Sequence, residues 1–188
     1  MCGAHQAQNA ATALAAVEAF LGAGAATGPI DQETVRTAFG AVRSPGRLER
    51  VRSSPTVLLD AAHNPAGMVA TVEAIRESFD FTRLVGVVGC VRGKDVTGIL
   101  TALEDICAEL VVTQNSSARA MPADELGAIA VDVFGADRVS VSPRLPEAIE
   151  EAIELAEAGP DDALGGSGVL VTGSVITAGE ARTLLARS

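Results

Sequence analysis

Thr56-Val57-Leu58-Leu59-Asp60-Ala61-Ala62-His63-Asn64-Pro65 is the stretch that decides the fold. Thr56 to Leu59 is a short apolar run, read as a buried strand that ends at Asp60. Pro65 suits the first position of a helix, because its missing N–H costs nothing there, so a helix is predicted over 65–78. Strand, polar turn, helix is the unit of a parallel sheet. Downstream the unit repeats, with strands predicted at 84–88, 110–113, 139–141 and 169–172 and helices at 95–106, 123–134, 145–157 and 177–186. Upstream, Leu48 to Arg52 mixes apolar and charged residues, as a half-exposed edge strand does. Only the tight turn Ser53-Ser54-Pro55 joins it to the next strand, so these two should pair antiparallel.

The fold class is therefore α/β: a mostly parallel sheet of about six strands, one antiparallel edge strand, and helices on both faces. Residues 6–21 and 32–42 read as two further helices that could form a hairpin, giving an N-terminal helical segment, 1–42, ahead of the α/β domain, 43–188. Gly165-Gly166-Ser167-Gly168 reads as a flexible lead-in to the last strand.

The 188 residues, 48% hydrophobic and 20% charged, suffice for one full core without disulfides or structural metal. A net charge of −10 argues against a general polyanion-binding surface, and 3% aromatics with no Trp or Tyr against a stacking platform for single-stranded nucleic acid. Cys2, Cys90 and Cys107 form no zinc or CxxC pattern, which suggests a reducing, cytoplasmic setting. No stretch reaches the length of a membrane span, and no basic-then-apolar leader opens the sequence, so no membrane partner is expected.

Ligands of such sheets gather at the carboxyl ends of the strands. That rule selects Asp60, the loop 89–94, the loop 114–119 and Gly173-Ser174. Asp60 can accept hydrogen bonds from a ribose diol, or it can cap a helix. His63 leaves the sheet beside it. Arg47, after Pro45-Gly46, can make a forked contact to phosphate, although an isolated surface arginine is the commoner case. The amide of Asn9 can read an adenine edge or bond its own helix end. Lys94, the single lysine, and Arg119 can neutralise an anion, and Ser174 can hold a carboxylate or cap the helix that follows. The Gly22–Thr27 run follows a helix and lacks the third glycine of a dinucleotide fingerprint. Lys94 is followed by Asp95 where a P-loop needs a hydroxyl.

In order, Gly3-Ala4-His5-Gln6, Asn9-Ala10-Ala11, Ser44-Pro45-Gly46-Arg47-Leu48-Glu49, Asp60 to Pro65, Gly93-Lys94-Asp95 and Thr172-Gly173-Ser174 resemble the folylpolyglutamate synthases, including their bifunctional dihydrofolate synthase forms, in the Mur ligase superfamily. The resemblance spans nearly the whole sequence. It implies a Rossmann-like C-terminal domain that closes over ATP and helps form the glutamate site. It also implies a partner N-terminal ATPase domain with the P-loop, the Mg2+ ligands and much of the pterin site, so the isolated chain is expected to be inactive. The family joins L-glutamate to folate or dihydropteroate through an acyl phosphate. By that resemblance Asn9 contacts adenine, Arg47 the phosphates, Asp60 the ribose, His63 the phosphate or glutamate, and Ser174 the glutamate carboxylate. Lys94 and Arg119 are weaker candidates, and Arg47 and His63 are expected to face one cleft as a closure pair. Many relatives carry a second His after the proline, where this sequence has Ala66-Gly67. Two alternatives stand beside this reading: a Mur-type ligase for another amino acid, and a stand-alone nucleotide-binding module without catalysis.

Overall fold

A computed structural model describes residues 3–22, 30–158 and 166–186. Within them lie α1 (Ala4–Leu21), α2 (Gln32–Ala41), β1 (Glu49–Ser53), β2 (Thr56–Leu59), α3 (Pro65–Ser78), β3 (Phe81–Val88), α4 (Val96–Glu104), β4 (Glu109–Gln114), α5 (Ala123–Phe134), β5 (Val139–Arg144), α6 (Leu145–Glu157), β6 (Gly166–Thr172) and α7 (Val175–Leu185). The sheet order is β1-β2-β6-β3-β4-β5. β1 pairs antiparallel with β2, and every other pairing is parallel. The expected architecture holds.

Side-chain alternation along the strands splits the core in two. Leu58, Leu84, Val88, Leu110, Val112 and Leu170 pack on one face, beneath α3, α4 and α5. Val57, Leu59, Val85, Val87, Val111, Val169 and Val171 pack on the other, beneath α6 and α7. Such two-faced burial explains why the central strands read as continuous apolar runs. Each Leu or Val so buried contributes roughly 1.5–3 kcal/mol by removing apolar surface from water.

Local chemistry sets the helix starts. Asn64 caps α3 by accepting the Gly67 N–H at 2.8 Å, with Pro65 at the first position. Asp95 caps α4 through the Gly98 N–H at 2.9 Å. α1 and α2 bury none of their residues, and Phe20 is 89% exposed. The segment 23–29, which holds most of the glycine run and the expected hairpin turn, lies outside the described residues, as do Cys2 and Gly165.

Two expectations are corrected. Gly166 to Gly168 form the start of β6 rather than a flexible lead-in. A Cβ on Gly168 would sit 2.5 Å from the Phe81 ring, so this glycine makes room for an aromatic on the neighbouring strand. Leu48 is not the first residue of β1. It precedes the strand at φ +44°, the one non-glycine residue with positive φ among those described.

Cys90 and Cys107 are buried. Burial pushes both thiols up to about 12, Arg138 pulling slightly the other way at Cys107. Neither is a thiolate at neutral pH. At pH 8 iodoacetamide should leave both unmodified in the native chain and label both after unfolding in guanidinium chloride. Labelling of either before unfolding would contradict this packing.

Candidate functional site at the carboxyl edge of the sheet

Because β2, β6, β3, β4 and β5 run parallel, their exits share one edge. There His63, Lys94, Arg119 and Ser174 line one cleft of about 200 Å³, together with Val91, Ser117, Val175 and Ile176. The four come from four separate segments. A larger hollow of about 510 Å³ lies beside it, between the β4 and β5 exits and α7, and contains none of the residues singled out from the sequence.

The Nδ1 of His63 lies 3.0 Å from the Ala61 carbonyl. A carbonyl only accepts, so Nδ1 carries the proton and Nε2 is left for the cleft. Ser174 is the N-cap of α7, its hydroxyl accepting the Ile176 N–H at 3.1 Å. Capping uses one lone pair, and the O–H is still available to donate. Lys94 is exposed, and its ammonium has no partner among the described residues. Arg119 makes one long contact, 3.4 Å, to the Arg92 carbonyl. Two cations and a helix N-terminus thus converge in a chain of net charge −10, a local field that favours an anion.

The walls are joined underneath by residues that the sequence reading missed. The Asn115 side chain is buried. It donates to Thr177 Oγ1 at 3.0 Å and accepts the Ser117 N–H at 3.1 Å. Thr177 in turn donates to the Gly89 carbonyl at 2.8 Å. Ser116 bonds to Glu180 on α7. This network ties the loop bearing Arg119 and the β3 exit to the helix that Ser174 caps. The loop was visible in the sequence as part of the ligand edge. Asn115 carried no signal of its own beyond a local turn with Ser117, because its other partner, Thr177, is brought to it only by the tertiary structure.

Asp60 is 4% exposed. Its Oδ1 accepts from the Ala62 N–H at 2.9 Å and the Thr71 hydroxyl at 2.9 Å, and its Oδ2 accepts from the Leu48 N–H at 3.0 Å. A carboxylate offers about four acceptor sites, so three of them are committed inward. Asp60 therefore has a structural role beside the ligand role expected of it: it holds the 44–48 turn to the β2 exit. Arg47 stands exposed on that turn. Its side chain makes no hydrogen bond or ion pair among the described residues, and it does not line the cleft of His63. The Ala61 N–H donates to the Gly46 carbonyl at 2.8 Å, which brings the turn against the segment leading to His63. The two side chains therefore leave neighbouring stretches of backbone, with His63 alone of the pair lining this cleft. Asn9 is exposed on α1 and also lies away from the cleft. Among the described residues no three His, Cys, Asp or Glu side chains cluster as a metal site, so no Mg2+ step is assigned to them. No described helix is long and apolar enough to cross a membrane.

A doubly covered parallel sheet with an anion-favouring cleft at its strand exits is the architecture of an α/β ligand-binding domain. Residues 46–175 match the family described as Mur ligase, glutamate ligase domain, and the chain belongs to that family. Among its relatives, the dihydrofolate synthase/folylpolyglutamate synthase of Mycobacterium tuberculosis is 51% identical over 98% of this chain and 39% of its own length. A crystal structure of the M. tuberculosis folylpolyglutamate synthase, solved with ADP and AMPPCP, superposes with a TM-score of 0.93 at 48% identity, covering all of this chain and 41% of that one. E. coli FolC, solved with DHPP and ADP, gives 0.76 at 25% identity over 96% of this chain and 39% of its own. The chain thus spans about two fifths of the length of these relatives.

The Asp60 geometry yields a stability prediction. Asp60→Ala leaves the Leu48 and Ala62 N–H groups without their acceptors and should cost about 2–4 kcal/mol, the scale for losing buried hydrogen bonds to a charged group. Urea unfolding with an unchanged m-value measures it. A variant as stable as the parent would show that the carboxylate is not holding the turn.

Proposed function

We infer that the chain serves as the C-terminal domain of an ATP-dependent ligase that joins L-glutamate to folate or dihydropteroate through an acyl phosphate. The observation that carries this reading is the convergence of His63, Lys94, Arg119 and Ser174 in one small cleft. Membership of the glutamate ligase domain family and the names of the relatives support it.

In the proposed reaction a substrate carboxylate oxygen attacks the γ-phosphorus of ATP, ADP leaves, and an acyl phosphate forms. The glutamate amine then attacks the acyl carbon, the C–O bond to phosphate breaks, and the amine gives up a proton as the amide forms. This chain supplies no nucleophile to either step. Its contribution is to position and to neutralise charge. Lys94 and Arg119 pair with the carboxylates of the incoming amino acid. The Ser174 hydroxyl and the N-terminus of α7 hold one of those carboxylates as well. Nε2 of His63 faces the same anions and can meet the phosphate or the glutamate. Arg47 is assigned to the nucleotide phosphates, which its planar guanidinium can meet with a forked pair of N–H bonds.

Adenine contact by Asn9 and ribose contact by Asp60 are carried over from the resemblance. Ribose would have to use the one acceptor site that Asp60 has left. Magnesium chemistry, the P-loop and most of the pterin site are assigned to the longer N-terminal part that the relatives carry, and the exposed faces of α1 and α2 are proposed to lie against it. The proposed setting is the cytoplasm.

Steady-state kinetics of the full-length ligase test the reading. Lys94→Ala should raise the KM for glutamate about tenfold or more, the scale of one lost charged contact, with the KM for ATP little changed. Arg47→Ala should instead lower kcat/KM for ATP by about a hundredfold. Unchanged glutamate kinetics in the Lys94 variant would overturn the assignment of the cleft.

A further inference from the structure

The turn that carries Arg47 is held more tightly than its exposed position requires. Gly46 at φ +68° and Leu48 at φ +44° bracket the arginine. Glycine tolerates that conformation; a leucine does not adopt it without being held there. Three successive N–H groups each have a fixed acceptor. Gly46 N–H donates to Glu49 Oε2 at 2.9 Å, Arg47 N–H to the Ser44 carbonyl at 3.2 Å, and Leu48 N–H to Asp60 Oδ2 at 3.0 Å. Two carboxylates thus hold the first and the third of these amides. The Glu49 carboxylate also accepts from Arg182 Nε of α7 at 2.9 and 3.1 Å. α7 is the helix whose N-cap, Ser174, lines the cleft. Each of these three N–H groups has a partner, whereas the guanidinium of Arg47 has none among the described residues.

We propose that Glu49 is a positioning residue that, together with Asp60, fixes the 44–48 turn so that Arg47 is presented in a single orientation to an anionic group. The proposal rests on the reading of Arg47 as a phosphate-binding residue. Glu49 touches neither nucleotide nor amino acid in this account; it acts through Arg47. Its side chain is 23% exposed, and Arg182 reaches it from the surface. Arg182 thereby links the turn to α7, so that the arginine and the cleft move as one body when the domain closes.

A double-mutant cycle in the full-length ligase separates this from a merely structural role. Glu49→Ala should lower kcat/KM for ATP about five- to tenfold, the scale of one lost hydrogen bond in the closed site, with the KM for glutamate within about twofold. Glu49→Gln, which keeps an acceptor for the Gly46 N–H, should restore most of the loss. In an Arg47→Ala background, Glu49→Ala should cost nothing further. Arg182→Ala, which leaves the turn's own bonds in place, should show a smaller loss that also vanishes in that background. An equal cost in both backgrounds, or no cost in either, overturns the positioning role while the assignment of Arg47 stands. An Arg47→Ala enzyme with unchanged ATP kinetics overturns the assignment of Arg47 itself, and the proposal with it.

Discussion

Parallel register is the constraint on which the rest of this structure depends. Five strands lie side by side in one direction, so their exits cannot be distributed around the molecule. Each must turn at the same edge, and the loops there meet whether or not they are close in sequence. β6 is central to this arrangement. The last strand in the chain is inserted between β2 and β3, which places Gly173 and Ser174 between the exits that carry His63 and Lys94. A Cβ on Gly173, at φ +98°, would lie 3.0 Å from both the Gly89 carbonyl and a Val88 methyl. Only glycine lets the β6 exit approach its neighbour that closely. The cleft is thus a consequence of topology, closed at its base by the Asn115–Thr177–Gly89 hydrogen bonds.

Asp60 shows how fold and site share one group. Its carboxylate is at the end of a buried strand, the position where a ligand contact is expected. Its oxygens turn inward to Leu48, Ala62 and Thr71. The Leu48 bond holds a left-handed leucine and the turn around it, and the other two fix the carboxylate against the β2 exit and α3. Local strain held by surrounding bonds is a common mark of functional sites, and here it accompanies an arginine whose side chain has no partner among the described residues. The proposed ribose contact would use the acceptor site that these bonds leave over.

The legible part of the fold is the part encoded locally. Asn64-Pro65 marks the start of α3, and the apolar run Thr56–Leu59 marks β2, because capping and strand burial depend on residues adjacent in sequence. The predicted bounds of α3, α5 and α6 agree with those observed. Leu48 was read as a strand residue because nothing in a leucine announces a positive φ; its partner is twelve residues away. Gly166–Gly168 was read as flexible because glycines lack side chains to order them, whereas here a neighbouring Phe81 ring occupies the space they leave. Of the site, His63, Lys94, Arg119 and Ser174 were each recognisable by residue type at a strand exit, and the sheet order brings them together. Glu49 stood in the Ser44–Glu49 motif without a role, and Asn115 stood in no motif, since the value of both lies in what they hold.

This edge is proposed to receive the amino acid that the full-length ligase joins to its acceptor. A crystal structure of the full-length enzyme with ADP and L-glutamate addresses it most directly. The account predicts that a glutamate carboxylate lies within hydrogen-bonding distance of Lys94 or Arg119, with the Ser174 end of α7 against it. Glutamate bound elsewhere, with those three side chains contacting only solvent, would contradict it.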